Sequence, residues 1–190
     1  RFVGIAILPA LLYEYFTNEK INTKEVGLLL LAPLGLIAYS IFNYYEWNNF
    51  LYFIQAQGEL GNNRSVSSIV LFPQTIFRYI KILSTVPVSS YNWGIALLEL
   101  ASFLFTAVLL YFAWKKKIRT SYLIFSLISF AIATGTGTFS ALPRYVITIF
   151  PIFMALALVK NRISKFVYII ISPVLLGILL MFFLRGYYVA

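Results

Sequence analysis

The feature that most constrains this chain is the length of its uncharged apolar runs. From Phe166 to Leu184 there is no charged side chain, and Val26 to Tyr45 is uncharged as well. A helix crossing a bilayer core needs about 20 consecutive apolar residues at about 1.5 Å of rise each. The core helix of a soluble domain needs fewer and keeps a polar face. Runs of this length make lipid one of the solvents of the chain. Composition agrees: 61% of the 190 residues are hydrophobic and only 11% charged, too little polar surface to clothe a water-soluble globule.

Six segments of this kind can be marked: Arg1 to Phe16, Val26 to Tyr45, Trp93 to Trp114, Ser121 to Phe139, Tyr145 to Val159 and Phe166 to Leu184. The expected fold is all-α, a polytopic helical membrane protein of about six transmembrane helices forming a single membrane domain over residues 1–190. The first segment is short, as if its start had been cut away, so the chain reads as the C-terminal part of a longer protein. Trp93 and Trp114 bracket their span at the level where amphipathic rings prefer to sit.

Basic loops stay on the cytoplasmic side. Placing residues 18–25, 115–120 and 160–165 there assigns Lys20, Lys24, Lys115, Lys116, Lys117, Arg119, Lys160, Arg162 and Lys165 to the inside. Residues 46–92, the Pro143-Arg144 turn and Arg185 then face outward. Arg64, Arg78, Lys81 and Arg144 have no topological reason to lie there, which makes them candidates for function.

The long 46–92 loop is expected to hold interfacial amphipathic helices. Trp47, Phe50, Leu51 and Ile54 recur at helical spacing, and Gly58, Gly61, Asn62 and Asn63 end that stripe. A second segment runs from Pro73 to Leu83, with Gln74, Arg78 and Lys81 on one face and Ile76, Phe77, Ile80 and Leu83 on another. A basic stripe lying flat on the membrane can hold a lipid phosphate.

The formal charge is +9, but its basic residues sit in short clusters between apolar spans, so the expected partner is membrane lipid and not nucleic acid. The chain has no cysteine and no histidine, which excludes disulfides, thiolate nucleophiles and Cys/His metal sites within it. Its six acids are all glutamates: Glu14, Glu19, Glu25, Glu46, Glu59 and Glu99. No Gly-rich nucleotide loop is present.

Ser140-Ala141-Leu142-Pro143-Arg144-Tyr145 is the sharpest local signal. A guanidinium on a proline-fixed turn can clamp phosphate oxygens. Equally, Pro143 can simply start a helix while Arg144 snorkels to the interface. Thr134-Gly135-Thr136-Gly137-Thr138 serves close helix packing or lines a ligand. Glu99 lies inside a span, where an ionisable group faces protein or water, or reaches the nearby interface. Glu46, Gln55, Gln57 and Glu59 lie near the outer surface, as sugar-binding groups or as a solvated helix face.

Three stretches together resemble the GT-C membrane glycosyltransferases, in particular bacterial and archaeal mannosyltransferases of the PIG-V type. Arg1, Gly4, Ile7-Leu8-Pro9 and Glu14-Tyr15 resemble the family's Arg-x-x-Gly helix ending in Glu-Tyr. Ala32-Pro33-Leu34-Gly35 and Asn49 to Gln57 resemble its Ala-Pro-Leu-Gly span and Phe-x-x-Ala-Gln loop. Leu142-Pro143-Arg144-Tyr145 with Phe150-Pro151-Ile152-Phe153 resembles its Pro-Arg-Tyr and Phe-Pro turn and helix. The resemblance implies an inverting transferase that takes a sugar from a polyprenyl phosphate donor to an extracytoplasmic acceptor. It would work in a bacterial or archaeal plasma membrane, or in the endoplasmic reticulum of a eukaryote. It implies donor-phosphate binding by Arg144, Arg78 and Lys81, sugar or acceptor binding by Gln55, Gln57, Glu46 and Tyr145, and a cavity shaped by Arg1 and Glu99. It names no metal ligand but leaves room for a divalent metal. The family's catalytic carboxylate is an aspartate near the N-terminus, and this chain has none, so that residue is expected upstream of Arg1. The competing expectation is a lipid-linked-sugar flippase or a non-catalytic membrane subunit, which would share the helices and the basic stripe.

Overall fold

A computed structural model describes residues 2–17, 27, 29, 31–59, 70–187 and 189. After a 3-10 turn at Phe2–Ala6 come α1 (Ile7–Thr17), α2 (Leu34–Trp47) and α3 (Tyr52–Glu59). These are followed by α4 (Phe72–Thr85), α5 (Tyr91–Lys115), α6 (Thr120–Thr134), α7 (Leu142–Val146), α8 (Pro151–Ala157) and α9 (Arg162–Leu184). No strand occurs among the described residues, in line with the all-α expectation.

Two of these helices, not six, are long and apolar enough to cross a membrane: α5, with 25 residues and mean hydropathy 2.2, and α9, with 23 residues and mean hydropathy 2.7. Two of the other expected spans are cut short by backbone chemistry. Helix α6 has 15 residues, about 22 Å at 1.5 Å each. It stops at Gly135, well before Phe139, and the Gly135 amide donates to the Ala131 carbonyl at 2.8 Å. A Cβ on Gly135 would lie 2.9 Å from that same oxygen. Gly135→Ala is therefore expected to cost about 1–3 kcal/mol, the usual range for an overpacked contact. Thermal unfolding in detergent would show a lowered midpoint, and an unchanged one would mean that the loop relaxes freely.

The segment expected as one span over Tyr145 to Val159 is two short helices, α7 and α8. Pro151 opens α8 and has no N–H to offer the Ile147 carbonyl, so the helix cannot run through. In the segment over Val26 to Tyr45, residues 27 and 29 are helical, a turn occupies residues 31–33, and α2 then runs from Leu34 to Trp47, 14 residues long. The stripe Trp47, Phe50, Leu51 and Ile54 does not lie on one helix either. Asn48 adopts a left-handed conformation at φ 50° and closes α2, and the Asn49 side chain then accepts from the Leu51 amide at 2.9 Å. Gly58 does not break the following helix, which continues to Glu59. Gly61, Asn62, Asn63 and Arg64 lie outside the described residues.

The core sits around α5. Helices α4, α6, α7 and α8 all pack against it, and α1 with the preceding 3-10 turn packs on α6. The main cluster includes Phe103, Phe130, Phe139, Leu142 and Ile152, with the Phe103 and Phe139 rings stacked at 4.4 Å. A second cluster of Ala113, Ile118, Leu123 and Ala155 closes the other end, beside the basic run Lys115–Lys117. The two clusters put α8 near the basic end of α5 and the 135–142 loop near the opposite end. At the basic end an exposed pair of Arg119 and Glu14 joins the start of α6 to α1, a contact of small energetic value at such a site.

Helix α9 has no buried residue. It lies beside α5 through ring contacts, Tyr168 with Phe105 at 6.5 Å and Phe182 with Tyr91 at 6.2 Å. Between them runs an apolar groove of about 740 Å³ lined by residues such as Gly94, Leu98, Leu175 and Ile178.

Candidate functional site

The expected second amphipathic segment is present as α4, Phe72–Thr85, with Pro73 in its first turn where the missing N–H costs nothing. The structure gives it three faces instead of two. Thr75 and Tyr79 are buried, and Ile76, Ile82 and Leu83 pack with them on the core. Phe77 and Ile80 point outward at 70% and 54% exposure, and Gln74, Arg78 and Lys81 form a separate exposed polar face. Ile76 and Leu83 thus turn to the protein while Phe77 and Ile80 turn away from it. At about 100° per residue, a helix can carry a protein face, an apolar outer face and a basic face side by side.

Tyr79 is the hub of the site. Its hydroxyl donates to Oε2 of Glu99 at 2.5 Å and accepts from the Phe139 amide at 3.0 Å. Thr138 Oγ1 lies 3.2 Å from it and accepts in turn from the Ser140 amide at 3.1 Å. Glu99 is 5% exposed, so α5 brings a carboxylate into the core and the Tyr79 hydroxyl answers it. Burial first, and the facing Glu99 carboxylate second, push the Tyr79 hydroxyl above the usual tyrosine range, so it remains a proton donor. The Tyr79 ring also packs on Phe139 with centroids 4.9 Å apart.

The same network draws α4 against the loop that leads to Arg144. Nη1 of Arg78, one residue from Tyr79, reaches the Gly137 carbonyl at 3.5 Å. The Val70 amide, just ahead of α4, donates to the Gly135 carbonyl at 3.2 Å. At the other end of α4 the indole of Trp93 donates to the Leu83 carbonyl at 3.0 Å. Thr138, Phe139, Ala141 and Leu142 are buried in the loop, and Ala141 takes a left-handed conformation at φ 63° to start α7. Arg144 stands exposed in the last turn of α7, and Tyr145 beside it packs on the same cluster as Tyr79.

Of the residues singled out from sequence, Arg78, Tyr145 and Glu99 belong to this assembly, with Lys81 on the basic face of α4 and Arg144 on the helix that the loop opens. Glu46 is exposed near the end of α2. Gln55 is exposed on α3, where its Oε1 accepts from Asn49 Nδ2 at 2.9 Å. Gln57 lies on α3, but its side chain is outside the described residues, as is Arg1. A second cavity of about 600 Å³ is lined by Gly4 and Ile5 from the first turn, Ala32, Pro33 and Gly35 at the start of α2, and Phe53 of α3, among others. It collects parts of two stretches that carried the family resemblance.

Tyr79 was missed in the sequence, and Thr138 was named only within the Thr134–Thr138 run, not as a group that meets Glu99's partner. Their spacing from Glu99 is 20 and 39 positions, and no local pattern links a tyrosine on one helix to an acid on the next. The usable signal was weak: Tyr79, with Thr75, on the apolar side of an otherwise amphipathic segment. Among the described residues, no three His, Cys, Asp or Glu side chains come together to hold a metal ion. No family model, no curated protein and no solved structure matches the chain.

Proposed function

We propose that this chain is the membrane-embedded, donor-binding part of a glycosyltransferase that moves a sugar from a polyprenyl phosphate to an acceptor on the extracytoplasmic side. The observation that carries the reading is the contact of Arg78 with Gly137. It sets the basic face of α4 against the loop that opens the helix of Arg144. Cations held at one end of the helix bundle suit a phosphate that arrives from the bilayer and not from solution.

The bilayer part of the reading rests on exposed surface. Ile163, Phe166, Leu176 and Leu184 on α9 are 65–75% exposed, and apolar surface of that extent calls for a lipid or protein cover. Phe77 and Ile80 would dip into the lipid while Arg78 and Lys81 stay at headgroup level. In this orientation the α4 end of the bundle faces outward and Lys115–Lys117 faces inward.

In such a transfer the acceptor oxygen attacks the anomeric carbon, and the bond from that carbon to the phosphate oxygen breaks. The electron pair leaves with polyprenyl phosphate. Arg144, with Arg78 and Lys81, would offset the charge that grows on the phosphate, where fixed cations in a low-dielectric site act most strongly. The base that takes the acceptor proton is not assigned to this chain. Glu46, Gln55 and Gln57 keep a proposed part in holding sugar hydroxyls.

The alternative of a lipid-linked-sugar transporter drew on Glu99 and on Thr134 to Thr138 as polar groups within the membrane. Glu99 accepts from Tyr79, Thr138 bonds the same hydroxyl, and Thr134 bonds the Phe130 carbonyl at 2.7 Å. These contacts account for the groups as packing and favour transfer over passage. The full-length protein in lipid nanodiscs, given polyprenyl-phosphate sugars and candidate acceptors, is expected to release polyprenyl phosphate. Donor crossing the bilayer with its sugar intact would instead establish the transporter.

A further inference from the structure

We propose that Tyr79 and Glu99 are positioning residues that lock the basic face of α4 onto the 135–141 loop and so set where Arg78 meets a lipid-linked phosphate. The lock rests on the hydrogen-bond geometry; the identity of the anion rests on the functional reading above.

Helix α4 is 14 residues long; its Phe77–Ile80 face points away from the protein, and its basic face is exposed while Arg78 reaches the Gly137 carbonyl. Its rotation is held chiefly by the third face. Apolar contacts there, from Ile76, Ile82 and Leu83, are non-directional and tolerate a small roll or slide. Hydrogen bonds do not, because they weaken steeply with distance and angle. The Tyr79 hydroxyl bonds α5 through Glu99 and the loop through Phe139 and Thr138, so one atom joins three elements. Arg78 precedes it by one residue, about 100° round the helix. A roll of α4 by that angle would break each bond of Tyr79 and swing Arg78 away from Gly137. The lock therefore fixes the guanidinium in place without Tyr79 or Glu99 touching the ligand.

The test uses the full-length protein in nanodiscs. Tyr79→Phe removes the hydroxyl and keeps the ring that packs on Phe139; Glu99→Gln keeps an acceptor for Tyr79. Affinity for polyprenyl phosphate without sugar is expected to fall roughly tenfold in Tyr79→Phe and to stay within about threefold in Glu99→Gln. A merely structural role would lower the yield of folded protein but leave the affinity of the folded fraction alone. This chain has no cysteine, so, with any cysteine outside it replaced by serine, spin labels at Ser84→Cys on α4 and Thr148→Cys after α7 report the α4 position directly. Their distance distribution should broaden in Tyr79→Phe and stay narrow in Glu99→Gln. Unchanged affinity and an unchanged distribution in Tyr79→Phe would overturn the proposal. Should that variant not fold, the same distance in Glu99→Ala decides the matter, a narrow native distribution overturning the lock. If the native protein binds polyprenyl phosphate but transfers no sugar, the transferase reading fails and the lock stands. If it binds none, the anion assignment fails and the spin-label distances judge the lock.

Discussion

Glu99→Ala is expected to lower the unfolding free energy by about 3 kcal/mol, the cost of leaving a buried donor unanswered together with the space of the lost side chain. Glu99 is 5% exposed, and the Tyr79 hydroxyl it accepts from is equally enclosed, with Tyr79 4% exposed. Glu99→Gln keeps an oxygen at the same reach and should cost about 1 kcal/mol, the value of a typical hydrogen bond. Unfolding in a mild-detergent-to-SDS titration measures both. Equal stability of the native protein and Glu99→Ala would show that the Tyr79 hydroxyl finds another partner and that the acid is not what anchors α4.

On the transfer reading proposed above, Arg144→Ala is expected to reduce turnover about 10²- to 10³-fold, the range for removing one preorganised charge stabiliser from a reacting phosphate or oxyanion. Arg144→Lys should recover only part of it, because an ammonium cannot offer the paired, planar donors of a guanidinium. Stability should change by no more than about 1 kcal/mol, since Arg144 is exposed, where a contact of a charged side chain is worth little, and its backbone amide, bonded to the Ala141 carbonyl at 3.1 Å, is unaffected by the side chain. Native turnover in Arg144→Ala would remove it from the site and leave Arg78 and Lys81 as the phosphate cations. A loss of binding without loss of turnover at saturation would mean that it holds the ground state and the transition state equally.

The legible parts of the fold were those set by local pattern. Helix α4 was expected over Pro73–Leu83 and runs from Phe72 to Thr85, because its 3.6-residue alternation survives in the folded chain. Helices α5 and α9 were expected at Trp93–Trp114 and Phe166–Leu184 and extend a few residues further, to the caps supplied by Ser90 and Asn161. Hydropathy alone misled elsewhere. It ran straight through Gly135 and Pro151, which carry no polar side chain, yet one ends α6 and the other parts α7 from α8. Trp47 to Ile54 kept a helical stripe across a helix end, because side-chain spacing does not register the left-handed backbone at Asn48.

The candidate site was legible only as separate cations. Arg78, Lys81 and Arg144 stood out because a basic residue away from the basic loops needs a reason. That Arg78 approaches the 135–141 loop could not be read, since the contact spans 59 positions. The sequence by itself determined that the chain is helical, rich in apolar surface and built around long uncharged segments, because hydropathy and helical periodicity are properties of neighbouring residues. Only the tertiary structure decided which of those segments stay unbroken, and that Tyr79 joins Glu99 and Phe139 across 20 and 60 positions. The reason is that a buried hydrogen bond is chosen by which groups meet when the helices pack, and packing joins residues that no local pattern connects.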